Sequence, residues 1–498
     1  MPKIAVIGAG FAGLSAAAYL AAEGHEVALY EKNATPGGRA RQKATAQGYL
    51  FDMGPSWYWM PDVFDRFFAD FGHSTADYYR LTLLDPAFEV VFGPGDVMTI
   101  PNTYAGLRDL FESIEAGSAA RLDKFMLEAR FKYDTAMDEL IYLPGLSMVE
   151  LVRPALMKSF FSLQLLSSLR RHVRQYFTDP RLIALMEFPV LFLGAPAAHI
   201  PALYSLMNYA GLCLGTWYPQ GGFGEVINAM VRVGQERGVT YHYDSPVREI
   251  LVSDDRVCGV VVNDDRILAD AVVAAADYHY VETRLLPPSY RNYSASYWAK
   301  RTLAPSCLIY YVGVSKQLSG IRHHTLFFDE DIVCHTREIY DDPKWPSRPL
   351  FYVCCPSRTD RAVAPPGHEN LFLLMPIATG LPDNEALRES YFRIMIGRLE
   401  AYVGEAILPF IDYKESYGSN DFVADYHAYR GNAYGLANTL RQTAWWKPRM
   451  QNKKLKNLFY AGQLTVPGPG VPPSLISGKI AADQVSKYFK KEHHESAV

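Results

Sequence analysis

Four residues near the start of the chain have types and spacing that can do chemistry together. Gly8, Gly10 and Gly13 stand in "GAGFAG", and Glu31 follows after a short apolar stretch. Gly8 allows a tight turn, Gly10 lets backbone approach a pyrophosphate, and Gly13 lets a helix pack closely on a strand. A helix opening there offers free N–H groups and a positive dipole end to phosphate. Glu31 sits where a carboxylate accepts hydrogen bonds from an adenosine ribose. The chemistry is dinucleotide binding, and it needs a strand–turn–helix–strand unit to position it. Ile4 to Ile7 reads as the first strand, Leu14 to Ala22 as the helix and Val27 to Tyr30 as the second strand, with Gly24 and His25 ending the helix. A secretory signal or membrane span fits poorly. The glycines interrupt the apolar run, and Glu23 ends it short of the roughly 20 residues a span needs.

The next residues separate one dinucleotide from another. Gly37-Gly38-Arg39-Ala40 follows the second strand almost at once, with an arginine able to reach phosphate charge. "FDMGPS" comes next, holding Gly54, Pro55 and Ser56. Further on stand "YPQGGFGEVINAM", "VTYHYDSPVREI" with Val247, "AVVAAAD" ending at Asp277, and "NLFYAGQLTVPGPGVPPSLIS" with Gly462, Gly470 and Val471. In this order the motifs resemble the flavin amine oxidase superfamily, and within it the carotenoid and phytoene desaturase family of bacterial type. "HHTLFF" and the run from Gln442 to Gly462 are similar to the same branch. The pattern departs at Gln463, Leu464, Val466 and Pro469.

The resemblance implies FAD as cofactor. It places Arg39 along the pyrophosphate and ribityl chain, the Gly54–Ser56 segment near the isoalloxazine ring, and the Val247 backbone at the adenine. The last helix, expected from Ser474 to Phe489, is opened by Gly470-Val471-Pro472 and can turn its N-terminus to a flavin carbonyl oxygen. The implied fold is α/β: a Rossmann-type FAD-binding domain of the p-hydroxybenzoate-hydroxylase and amine-oxidase kind, a mixed-sheet substrate domain and a helical lid. Residues 1–105, 215–290 and 420–498 are assigned to a discontinuous FAD domain, 106–214 to the lid and membrane-contact region, and 291–419 to the substrate domain.

The chain has 498 residues and a net charge of −4, so no basic excess argues for nucleic acid. Its six cysteines show no C-x-x-C spacing, which suits a reducing compartment and argues against a disulfide framework or zinc site. The adjacent pairs His323-His324 and His493-His494 are expected to diverge, so no metal is assigned. Aromatic residues make up 13% of the chain, enough to line an apolar tunnel as well as a core. Residues 144–177 mix bulky apolar residues with Lys158, Arg170, Arg171 and Arg174. That suits a helical lid, or a helix on an anionic membrane surface. The tail from Lys490 onward is expected to fray.

Desaturation removes a hydride and a proton from neighbouring carbons. The resemblance therefore implies a lipophilic polyene as partner, phytoene or a related carotene, met at a membrane surface from the cytoplasm. With no second dinucleotide motif, oxygen or a quinone is the expected electron acceptor. Glu150 and Arg153 match an acidic-x-x-Arg pair of phytoene desaturases and are the candidates for acid/base work. At three residues' spacing they share a helix face, as any surface ion pair would. Carotenoid isomerases, saturases, hydroxycarotenoid desaturases and oxygenases share the FAD motifs. A different class, the GDP-dissociation inhibitors that carry prenyl lipids, shares the fold without using FAD; Glu31 and Arg39 argue against it.

Overall fold

The computed structural model describes residues 1–145, 164, 167–439 and 442–496. Five parallel strands form the smaller of two main sheets, in the order Leu458–Tyr460, Ala271–Ala274, Lys3–Ile7, Glu26–Tyr30, Thr240–His242. Its central strand is apolar and buried from Ile4 to Ile7, as a parallel strand covered on both faces must be. Val6 stands opposite Val273 on one side and Leu29 on the other. The expected strand–turn–helix–strand unit is present as Lys3–Ile7, Phe11–Ala22 and Glu26–Tyr30.

The Phe11–Ala22 helix is buried from Phe11 to Ala21. Small residues make that possible, because it is packed by the helices Val471–Ser496 and Phe223–Glu236 as well as by the sheet. A Cβ on Gly478 would lie 2.3 Å from the Ala12 carbonyl oxygen, so only glycine lets the first and last helices cross so closely. The last helix begins at Val471 and runs to Ser496, longer at both ends than the sequence reading. The helix continues past Lys490. Glu492 accepts from Arg256 at 2.7 and 2.8 Å, and Arg256 also donates to the Tyr488 hydroxyl at 2.7 Å, which ties the final turns to the body.

The larger sheet has seven strands, in the order Ile411–Tyr417, Ser306–Val314, Glu369–Ile377, Phe351–Cys354, His324–Phe327, Phe88–Gly93, Asp96–Ile100. It is mixed: only the His324–Phe327 and Phe88–Gly93 pair is parallel. The Phe88–Ile100 hairpin, placed by the sequence reading in the first FAD-domain piece, pairs in this sheet instead, since its apolar strand finds its partner in Thr325 to Phe327. Ser306–Val314 is buried throughout. Leu308, Tyr310 and Val312 pack with Phe392, Met395 and Leu399 of the helix Glu385–Val403. Cys307, Ile309 and Tyr311 face the opposite way, into the main core. Strand alternation thus turns one face of the large sheet toward the smaller one.

Helices Tyr104–Ile114, Ser118–Thr135, Leu169–Val173, Pro180–Glu187 and Leu206–Leu212 make up the described part of the expected lid region. Glu150, Arg153 and Lys158 lie outside the described residues. Among the described residues no helix is long and apolar enough to cross a membrane.

Candidate active site

A cavity of about 450 Å³ runs between the two main sheets. It is lined by Gly8, Gly10, Glu31, Gly38, Arg39 and Val247, and by Gly54, Pro55, Ser56, Gly462, Gly470 and Val471. The structure therefore brings all the sequence-selected cofactor residues but Gly13 to one surface. Gly13 instead holds the turn behind it. A Cβ there would lie 1.9 Å from the Gly8 carbonyl oxygen, which is the close helix–strand approach expected of that position. Gly8 has a φ of +100°, and its N–H donates to the Tyr30 carbonyl at 2.8 Å. Gly10 differs from both. A Cβ there would meet nothing nearer than the Gly38 Cα at 3.9 Å, so the protein itself does not need glycine at that position. The free space above it is what a pyrophosphate would fill.

Glu31 is buried and accepts from the Ala9 N–H at 2.8 Å and from Asn33 at 2.9 Å (backbone) and 2.8 Å (side chain). These bonds hold the carboxylate at the cavity wall, with acceptor capacity left for ribose hydroxyls. Arg39 donates to the Asn432 carbonyl at 3.3 Å, and its guanidinium lies 5.1 Å from the centre of the Tyr426 ring. Its Nε is sealed from solvent with no partner among the described residues. Burial pushes the guanidinium pKa down, and nearby Asp277 opposes that shift. An unmet buried N–H on a cation is costly, and an anion such as a pyrophosphate would satisfy it. Gln463, one of the departures from the family pattern, has a role here. With its amide oxygen turned inward it accepts from Arg39 Nη2 at 3.1 Å.

The Gly54–Ser56 segment passes against this arginine. A Cβ on Gly54 would sit 2.4 Å from the Arg39 carbonyl oxygen. Gly462 and Gly470 adopt φ of +110° and +113°, and the long last helix then starts at Val471 with its N-terminus at the cavity. Asp277 accepts from Tyr280 N at 3.0 Å and Tyr429 N at 3.3 Å; burial pushes its carboxyl up. The other glycine run, Gly221 to Gly224, does not line the cavity. Its helix N-terminus is met by Asp52, which accepts from Phe223 N at 2.9 Å and from Gln42 at 2.9 Å. Burial raises the Asp52 carboxyl to about 6 against these hydrogen bonds.

Beyond Ser56 the cavity turns apolar. Trp57, Phe188, Leu193, Leu326, Phe328 and Ile339 are among its walls. Two histidines, His335 and His427, are on its walls. His335 accepts from Leu350 N at 2.9 Å through Nδ1 and is 2.9 Å from the Pro376 carbonyl through Nε2, so its proton is fixed on Nε2 and both nitrogens are engaged.

The sequence reading missed a second cluster. His323 and His324 were expected to point apart, yet their ring centres are 4.5 Å apart at 70°. His323 precedes the strand His324–Phe327, so strand alternation does not govern it. One ring nitrogen of each and the Cys354 sulfur all lie within 4.8 Å of one another. The signal in the sequence was "HHTLFF" itself, but only the pairing of His324 with Cys354 brings the thiol in.

The family of flavin containing amine oxidoreductases matches residues 11–486, and the chain belongs to it. Among curated proteins, the chain is 39% identical over 481 residues to a carotenoid 3,4-desaturase of Haloarcula japonica, covering 96% of this chain and 97% of that one. It is 30% identical to a zeta-carotene-forming phytoene desaturase of Myxococcus xanthus, covering 97% and 93%. Among solved structures, an oxidoreductase from Methanosarcina mazei superposes with a TM-score of 0.62 at 17% identity, covering 97% of this chain and all of that one. The α/β flavoprotein fold expected from the sequence is thereby established, and FAD is the cofactor.

Proposed function

We propose that this chain is an FAD-dependent carotene desaturase, a flavoprotein oxidoreductase acting on neighbouring C–H bonds of a long polyene. The observation that carries the reading is one cavity lined both by the glycine turns and Arg39, with its unmet N–H, and by apolar and aromatic side chains. A polyene offers no charge to grip, and such walls supply its binding. The relatives named for carotenoid desaturation over nearly the whole chain support the same substrate class.

In this reading Gly8, Gly10, Gly38 and Arg39 hold the pyrophosphate, Glu31 the ribose and Val247 the adenine. Gly54, Pro55, Ser56, Gly462, Gly470 and Val471 surround the flavin ring. FAD held there would supply the hydride acceptor. The chain's own residues align the polyene, exclude water and remove the proton. Glu150, with Arg153, is proposed to steady the transient allylic cation. Phytoene is the first substrate to test. The 39% identity to a 3,4-desaturase favours a second reading, in which the bond introduced lies at a chain end already conjugated. Oxygen or a quinone is the proposed acceptor for the reduced flavin.

The proposed route for the substrate is a cytoplasmic membrane face. On the Ser118–Thr135 helix, Leu127 and Phe131 share an outward face and are 71% and 43% exposed. Arg170, Arg171 and Arg174 lie in the same lid region, with Arg170 and Arg174 paired with Glu187 at 3.6 and 3.7 Å. An apolar face beside basic residues suits contact with anionic lipid.

The deciding experiment is purification and a flavin spectrum. A yellow protein with an FAD band, bleached under anaerobic conditions by a carotene, supports desaturation. A colourless protein that stays so after FAD is added supports a lipid carrier.

A further inference from the structure

Resting on the desaturase reading, we propose that the substrate's proton leaves through a hydrogen-bonded relay that begins at Tyr352 and Ser56, passes through His324 and His323, and ends at Thr359. Several cavity-lining residues carry a hydroxyl, Thr336, Tyr340, Tyr352 and Tyr434 among them. His335 is held by partners on both nitrogens. Tyr352 is different. Its hydroxyl is within 3.0 Å of Ser56 Oγ, and both residues line the reaction cavity. On its other side the same hydroxyl is 2.6 Å from His324 Nδ1.

His324 is fully buried, its ring stacked on Trp57 at 4.1 Å and 11°. Its Nε2 has no partner among the described residues, and neither does the Nε2 of His323. Two unmet imidazole nitrogens side by side in a protein interior are unusual. Ser56, His323, Cys354 and Asp52 also line a second, small cavity of about 10 Å³, roughly the size that holds one water. His323 Nδ1 then lies 2.7 Å from Thr359 Oγ1, and Thr359 is partly exposed. The groups thus make a line from the reaction cavity through the large sheet to the surface.

Loss of hydride leaves an allylic cation, whose neighbouring C–H is a strong acid, so a hydroxyl oxygen is base enough. The C–H bond breaks and its electron pair becomes the new double bond. The proton joins the Tyr352 oxygen as the Tyr352 proton passes to His324 Nδ1. His324 then releases its Nε2 proton to one water between the two rings, one nitrogen of each ring lying within 4.8 Å of the other, and His323 takes a proton from that water and passes one on at Thr359. Burial lowers the basicity of both imidazoles, so neither holds the proton. Tyr352 acts on substrate; the histidines act through it.

The test is anaerobic single-turnover reduction of the FAD-loaded protein by a carotene in detergent or liposomes. Tyr352→Phe should keep FAD content and half-saturating carotene concentration, while the limiting rate falls about 10- to 100-fold, the span of general acid–base effects. Thr359→Val, at the outer end, should slow the same rate several-fold, and Thr359→Ser should restore it. A Tyr352→Phe protein reduced as fast as wild type would overturn the relay and leave the desaturase reading standing. A stoichiometric metal ion in the purified holoprotein, lost in Cys354→Ser, would also overturn it. A wild-type flavin that no carotene reduces would remove the desaturase reading and the relay together.

Discussion

Gly10 and Gly13 stand three residues apart in one motif, yet their substitutions should fail in opposite ways. A side chain at Gly13 runs into the Gly8 carbonyl oxygen, whereas one at Gly10 enters open space. Gly13→Val should lower the melting temperature sharply or leave no folded protein, since the overlap is with backbone that cannot turn aside. Gly10→Val, combined with Glu31→Gln, should leave the fold and abolish FAD retention; far-ultraviolet circular dichroism and the flavin band read the two effects separately. Normal flavin content in the double variant would remove the phosphate role from this turn. At Glu150 the expectation is kinetic. Glu150→Gln should cut anaerobic flavin reduction by about 100-fold with FAD content intact, and a rate within a few-fold of wild type would reduce Glu150 to an ion-pair partner of Arg153. The motif glycines and Glu31 were legible in the sequence because backbone conformation and phosphate approach restrict them to one residue type. Tyr352, His324 and Gln463 were not, because their roles come from partners far away along the chain (Ser56, Tyr352 and Arg39).

Among the elements, the parallel strands and the first helix were readable from short apolar runs punctuated by glycine, and their observed ends differ from the reading by a few residues. The Phe88–Ile100 hairpin was misplaced because strand periodicity says which face is apolar but not which sheet receives it. The helical region rests on a buried cation that no pattern announces. Lys132 on the Ser118–Thr135 helix donates to Ser205 at 3.0 Å, Gln164 at 3.1 Å and the Ala202 carbonyl at 3.3 Å, tying three elements together. Burial pushes its ammonium down to about 8 from 10.5, with Glu128 opposing. Between those values the unfolded chain holds a proton the folded one has released, so stability rises with pH across that window and the full penalty is felt below it. The difference in unfolding free energy between wild type and Lys132→Met should therefore move in favour of wild type by about 2 kcal/mol from pH 8 to 9.5. Urea titrations at the two pH values measure it, and a pH-independent difference would show that the ammonium is not the strained group.

For the whole molecule, two sheets face each other across a cavity that joins a nucleotide cradle to an apolar slot, and the outer helices present Leu127 and Phe131 to solvent. Reversible membrane contact is the use proposed for that surface. The protein should float with liposomes containing anionic lipid and be released by alkaline carbonate, and Leu127→Glu with Phe131→Glu should abolish flotation without changing flavin content. Flotation unaffected by the pair would move the contact elsewhere. The central claim is carotene desaturation, and expression in cells that accumulate phytoene, followed by pigment chromatography, tests it most directly, with lycopene-accumulating cells alongside. The expected result is a new carotene with a longer conjugated system and absorption shifted to longer wavelength in at least one host, lost in the Gly10→Val, Glu31→Gln double variant. Unchanged phytoene and lycopene in cells making FAD-loaded protein would contradict it.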